Sequence, residues 1–177
     1  MKSYPDSTYK MLAYASPYIT FHFDDAVDWA CEMLEYGYET PHLLMLAAII
    51  KPTSRHECEY YLENALVELN LKKVDDVIGT IFAVWQEVSC MAKGEQVRFY
   101  LTKVYQQYSF EQPNNYLSDF TELYWAWDDL EKIGAHYGWN RNLILNNIEQ
   151  EIIEYSKKWI ELYKPEIEKL ILPGKNS

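Results

Sequence analysis

Glycine and proline are scarce in this chain, at 6 and 7 of 177 residues, and most of them fall at the ends of periodic segments. There is no glycine-rich phosphate loop and no Gly-x-Ser-x-Gly turn, so nucleotide cradling and serine-nucleophile chemistry have no support. Cysteine is rarer still. Cys31, Cys58 and Cys90 are odd in number and fit no Cys-x-x-Cys spacing, which favours buried free thiols in a reducing compartment over a disulfide or a zinc site. Apolar runs are short: the longest, 43–50, falls well below the ~20 residues of a membrane span. The first residues lack a basic start followed by an apolar core, so no secretory signal is expected and a cytoplasmic location is. Basic residues are outnumbered, 16 against 27 acids, for a formal charge of −11. With no basic patch, nucleic acid and anionic lipid are disfavoured as partners, because phosphates would be repelled.

What is present is a globular composition, 49% hydrophobic and 24% charged, with 16 Tyr, 6 Trp and 6 Phe. The length suits one domain over 1–177, large enough to bury a core, with a tail from about residue 173. The apolar periodicity predicts an all-α fold. Asp24 or Asp25 caps a helix bearing Val27, Ala30, Cys31 and Leu34, which Gly37 ends in a left-handed cap. Thr40 followed by Pro41 opens a second helix, stopped by Pro52. Ser54 and Glu57 stand in capping-box spacing before a third. After Asn70, positions Val74, Val77, Ile78, Ile81, Trp85 and Val88 predict a further helix ending near Gly94. Val97, Leu101 and Val104 continue at helical rather than alternating spacing. Residues 109–115 read as a loop. A helix over 116–133 follows, then a turn over 134–140. The final stripe Leu145, Ile148, Ile152, Tyr155, Trp159 and Leu162 fits a bundle seam that Pro165 kinks or ends. The expectation is a bundle of about six or seven helices, with stacked helix pairs as the variant. Residues 71–110 are close to neutral while both flanks are acidic.

Metal and catalytic chemistry find little footing. His22, His42, His56 and His136 are scattered without ligand spacing, so no metal site and no cofactor is expected. Asp25, Asp28, Glu32 and Glu35 share a helix face. Asp128 with Glu131, and Glu151 with Glu154, form two acidic pairs on successive helices. In that respect the chain resembles the all-α nucleotide pyrophosphohydrolases of the MazG type, which hold Mg²⁺ with Glu-x-x-Glu and Glu-x-x-Asp pairs. The resemblance implies a Mg²⁺-dependent hydrolase, but the chain departs from the pattern at two of four positions. A solvated charged face explains the same pairs.

The densest aromatic cluster is 124–129, YWAWDD. Successive helical residues point about 100° apart, so Tyr124 and Trp127 can turn inward while Trp125 points sideways, beside Asp128 and Asp129. Trp125 then either packs on a neighbouring helix or forms an aromatic anchor ringed by carboxylates, suited to a cationic partner. Tyr36 and Tyr38, beside Glu35 and Gly37, make a second such candidate.

The stretch 28–41, DWACEMLEYGYETP, with 123–130, LYWAWDDL, resembles segments of small uncharacterised bacterial all-helical proteins, which implies a bacterial cytosolic helical domain. In size, acidity and aromatic content the chain is also similar to the immunity proteins that neutralise bacterial toxins. The functional expectation is a non-enzymatic module binding a basic protein partner, with Trp125, Asp128, Asp129, Tyr36, Tyr38 and Glu35 as its contacts. The alternatives are the Mg²⁺-dependent hydrolase and a helical scaffold that forms homo-oligomers through its last helix.

Overall fold

A computed structural model describes residues 4–74, 76–107, 115–138 and 142–171. Every regular element among them is helical: α1 (Ser7–Leu12), α2 (Asp24–Glu35), α3 (Pro41–Ala47), α4 (Arg55–Glu68), α5 (Gly79–Ala92), α6 (Val97–Gln107), α7 (Ser118–Ile133) and α8 (Ile148–Ile171). No helix among them is long and apolar enough to cross a membrane. The chain divides into two compact units, residues 1–83 with 170–177 and residues 84–169.

In the first unit α2 packs on α3, α3 on α4, and α1 on α2. Gly37, at φ 78°, ends α2 in a Schellman motif: the Tyr38 N–H donates to the Met33 carbonyl at 3.0 Å and the Gly37 N–H to that of Leu34 at 2.9 Å. Thr40 is extended and precedes Pro41 at the first position of α3, where a missing N–H carries no penalty. The Ser54 and Glu57 capping box opens α4, with the Ser54 N–H donating to Glu57 Oε2 at 3.2 Å. Trp29, Met33, Leu43, Leu46, Leu62 and Leu66 are fully buried. Trp29 meets its indole donor requirement by giving a hydrogen bond to Thr8 Oγ1 at 3.0 Å.

Several expectations are corrected here. The helix expected around Val74 starts only at Gly79. Asn70 turns the chain at φ 57°, and the Val74 N–H is bound to the Leu12 carbonyl at 2.7 Å, so the apolar side chains of this stretch pack from non-helical backbone. Phe23, not Asp24, occupies the cap position of α2, because Asp24 Oδ1 instead accepts the Thr53 N–H at 2.7 Å. Cys31 is exposed rather than buried, and Cys90 is only half-buried. The six-residue α1 has no side-chain cap and too few turns to show periodicity.

In the second unit Gly94, at φ 77°, closes α5 through a Glu95 N–H bond to the Cys90 carbonyl at 3.0 Å. Val97, Leu101 and Val104 of α6 are buried, as are Phe120, Leu123, Trp127 and Leu130 of α7. Gly134, at φ 73°, ends α7. Ile148, Ile152 and Trp159 of α8 are buried, and the Trp159 indole donates to the Tyr116 carbonyl at 3.0 Å. The expected seam fails at both ends. Leu145 precedes the helix and is exposed, Leu162 is exposed, and α8 continues through Pro165. The expected loop over 109–115 lies almost wholly outside the described residues, as do the last two positions of the expected turn over 134–140.

Candidate functional site

The two aromatic candidates lie in different units and are described separately. On α7, Trp125 is 49% exposed, as a sideways direction requires. Its ring is nevertheless held. Tyr105 of α6 meets it edge-on at 5.6 Å and 85°, and Tyr124 does so at 5.6 Å and 83°. Tyr105 and Tyr124 themselves stack, with centroids 4.1 Å apart. Packing on a neighbouring helix and partial exposure to solvent are therefore combined in one side chain.

The carboxylates beside Trp125 divide into two kinds. Asp128, with 16% of its side chain exposed, faces two cations: Arg98 at 3.7 Å and Lys132 at 2.8 Å. That contact raises the Lys132 ammonium above its ordinary range, chiefly through the hydrogen bond to Asp128. Glu131 takes the other side of Arg98 at 3.2 Å, and the guanidinium lies 4.8 Å from the Tyr124 ring centre and 5.3 Å from that of Trp127. Asp128 thus belongs to the tie between α6 and α7. Asp129 and the exposed Glu122 make no hydrogen bond or ion pair among the described residues, although the Asp129 charge adds to the rise of the Lys132 ammonium. By helical spacing, positions 122, 125 and 129 share one face of α7. Glu122 was missed by the sequence reading, although its spacing of three before Trp125 was visible there.

At the end of α2, Glu35 and Tyr36 are exposed and Tyr38 is half-buried. Tyr38 stacks on Tyr4, centroids 5.0 Å apart and planes at 19°. Desolvation, and then proximity to Tyr38, raise the Tyr4 phenol above its usual range. The Tyr4 hydroxyl donates to the Leu69 carbonyl at 3.3 Å, anchoring the stack to the end of α4. Tyr36 has no ring contact among the described residues.

Of the other acidic and histidine candidates, Glu154 and His42 are engaged within the fold, while the buried His136 Nδ1 has no hydrogen-bond partner among the described residues. Glu154 accepts from Lys157 at 2.9 Å, which with its own charge lowers the carboxyl below its ordinary range. His42 meets Glu68 at 2.5 Å. Among the described residues no group of three or more His, Cys, Asp or Glu converges on a point where a metal ion could sit, so Asp128, Glu131, Glu151 and Glu154 are not gathered into one site. No protein-family model, curated protein or solved structure matches this chain.

Proposed function

We propose that the chain is a non-enzymatic acidic module that binds a basic protein, in its narrower form an immunity-type inhibitor of a bacterial toxin. The observation that supports this reading best is Trp125, half exposed yet held by two edge-on ring contacts, with the unpaired Glu122 and Asp129 on its own helix face. A ring already fixed in place loses little conformational freedom on binding, which is what a contact residue of high energetic weight requires. Unpaired carboxylates around it draw in a cationic surface and repel an anionic one. The hydrolase reading gains nothing, since Asp128, Glu131 and Glu154 each face a cation of this chain.

The test uses the basic protein that the immobilised chain retains from a lysate of its source cell. Glu122→Lys with Asp129→Lys is expected to lower the association rate of that protein about 10-fold at low salt and to flatten its salt dependence. An unchanged rate contradicts the reading. For the narrower form, the product of the gene directly upstream is expected to arrest growth when expressed alone and to be neutralised by co-expression of this chain; absence of toxicity, or continued killing, contradicts it. Asp128 is unsuitable for charge reversal, because it also faces Arg98 of α6 and a change there would perturb the α6–α7 contact as well as any partner.

A further inference from the structure

The longest apolar run of the chain, 43–50, does not lie wholly in its core. Leu43 and Leu46 are fully buried, on the side of α3 that packs against α2 and α4. Positions 41, 44, 45 and 48 share the opposite face by helical spacing, and all four are exposed. Leu44 and Met45 are half exposed, and Ile50, just beyond the helix, is 87% exposed. The neighbouring α4 extends this surface. His42 meets the edge of the Tyr60 ring at 5.6 Å and pairs with Glu68 at 2.5 Å, which sets Tyr60 beside α3. Tyr60, 62% exposed, and Val67, 75% exposed, stand seven positions apart and so share a face of α4. Apart from His42, residues 41–50 hold no ionisable side chain, in a chain of formal charge −11. Lys51, which ends the run, is already paired with Asp28 at 2.5 Å.

We propose that two copies of the chain meet through this face of α3 and α4. Charge is the first reason to assign it to a second copy. A basic protein is drawn to carboxylates, and α3 has none to offer. Two molecules of charge −11 repel one another, and do so least where neither presents a charge. Area is the second reason. The exposed parts of Leu44, Met45, Ile50, Tyr60 and Val67 amount to roughly 600 Å² per copy, or ~1,200 Å² for a symmetric pair, which is the lower end of specific interfaces. A two-fold pair is closed, so each copy covers the other's face once and assembly stops there. A contact of that size associates at micromolar rather than nanomolar concentration.

The experiment is sedimentation equilibrium of the full chain under reducing conditions, so that the exposed Cys31 cannot imitate association through a disulfide. A monomer–dimer equilibrium is expected, tightening several-fold from low to high salt as the repulsion between the acidic copies is screened. Met45→Glu and Ile50→Glu are each expected to weaken it about 10-fold or more, because a two-fold pair brings every new carboxylate into the contact twice. Ile50 is exposed enough that its replacement leaves helical content and melting midpoint unchanged, so misfolding cannot imitate the loss. Leu162→Glu, at an exposed position of α8, is expected to leave the equilibrium as it is. A monomer at every concentration up to about 1 mM overturns the proposal, as does a dimer that weakens with salt. Open-ended assembly overturns the two-fold pair. A dimer that survives both Met45→Glu and Ile50→Glu overturns the assignment to this face, and one lost instead in Leu162→Glu moves the contact to the last helix.

Discussion

Tyr105 of α6 and Tyr124 of α7 lie face to face, their ring centres 4.1 Å apart and their planes within 2° of parallel. This stack is the shelf on which Trp125 stands edge-on, so the stiffness of the exposed indole derives from a contact between two helices. Tyr105→Ala removes one partner from both Tyr124 and Trp125. A destabilisation of about 2 kcal/mol is expected from the lost ring contacts and buried area, measured by urea unfolding. Trp125 emission should also shift to longer wavelength, and an unchanged spectrum would show that Tyr105 does not hold the ring.

Arg98 ties the same two helices by charge and by stacking. It reaches Asp128 and Glu131 while covering the Tyr124 and Trp127 rings. Arg98→Ala is expected to cost about 2 kcal/mol, with Arg98→Lys recovering about half, because an ammonium keeps the charge but not the planar stack. Urea midpoints of the two variants check the order. Equal losses would mean that charge alone accounts for the tie.

Much of this arrangement is readable in the chain, and the unreadable parts share a cause. Gly37, Thr40 with Pro41, and Ser54 with Glu57 act through their immediate neighbours, so their roles follow from spacing alone. The direction of Trp125 follows from the 100° step of a helix. By contrast, Val74 is held by the carbonyl of Leu12, and Asp128 is claimed by Arg98, 30 positions earlier. Contacts of that separation leave no periodic trace, so the start of α5 and the α6 partner of Asp128 could be read only from the folded chain, whereas its nearer partner Lys132 stands at a helical spacing of four. Leu145 and Leu162 failed for another reason: a stripe at the right period marks a face, but not how far along the helix that face is covered.

Close approach rather than backbone freedom explains Gly79. A Cβ there would lie 2.7 Å from the Cβ of Ser16, whose hydroxyl donates to the Asp76 carbonyl at 2.9 Å. Gly79→Ala is expected to destabilise by about 2 kcal/mol through overpacking. Adding Ser16→Gly should recover part of that loss but not all, since the hydrogen bond to Asp76 goes with it. Thermal melts of the single and double variants supply the comparison, and additive losses would exclude the clash.

Alkaline pH should expose the Tyr14 site. Its hydroxyl donates to Glu63 at 2.5 Å, Lys73 lies 2.7 Å from the same carboxylate, and desolvation followed by the Glu63 bond pushes the phenol up to about 12. The folded value lies above the ordinary 10.0, so the contribution of this group is complete below pH 10 and is lost as pH rises towards about 12. Tyr14→Phe is therefore expected to be less stable at pH 7, by about 1 kcal/mol, and to lose less stability than the wild type between those two values. Parallel alkaline limbs for the two proteins would contradict the assignment.

The claim on which the account turns is that exposed rings set among unpaired carboxylates recognise a basic protein. Its most direct measurement is the dissociation constant of the retained basic partner for the wild type, for Trp125→Ala and for Tyr36→Ala, taken at one fixed salt concentration. The account predicts losses of about 10-fold or more for Trp125→Ala, with a smaller loss for Tyr36→Ala, while both variants keep the wild-type helical content. Wild-type affinity in Trp125→Ala, or binding that ignores both rings and follows net charge alone, would contradict it.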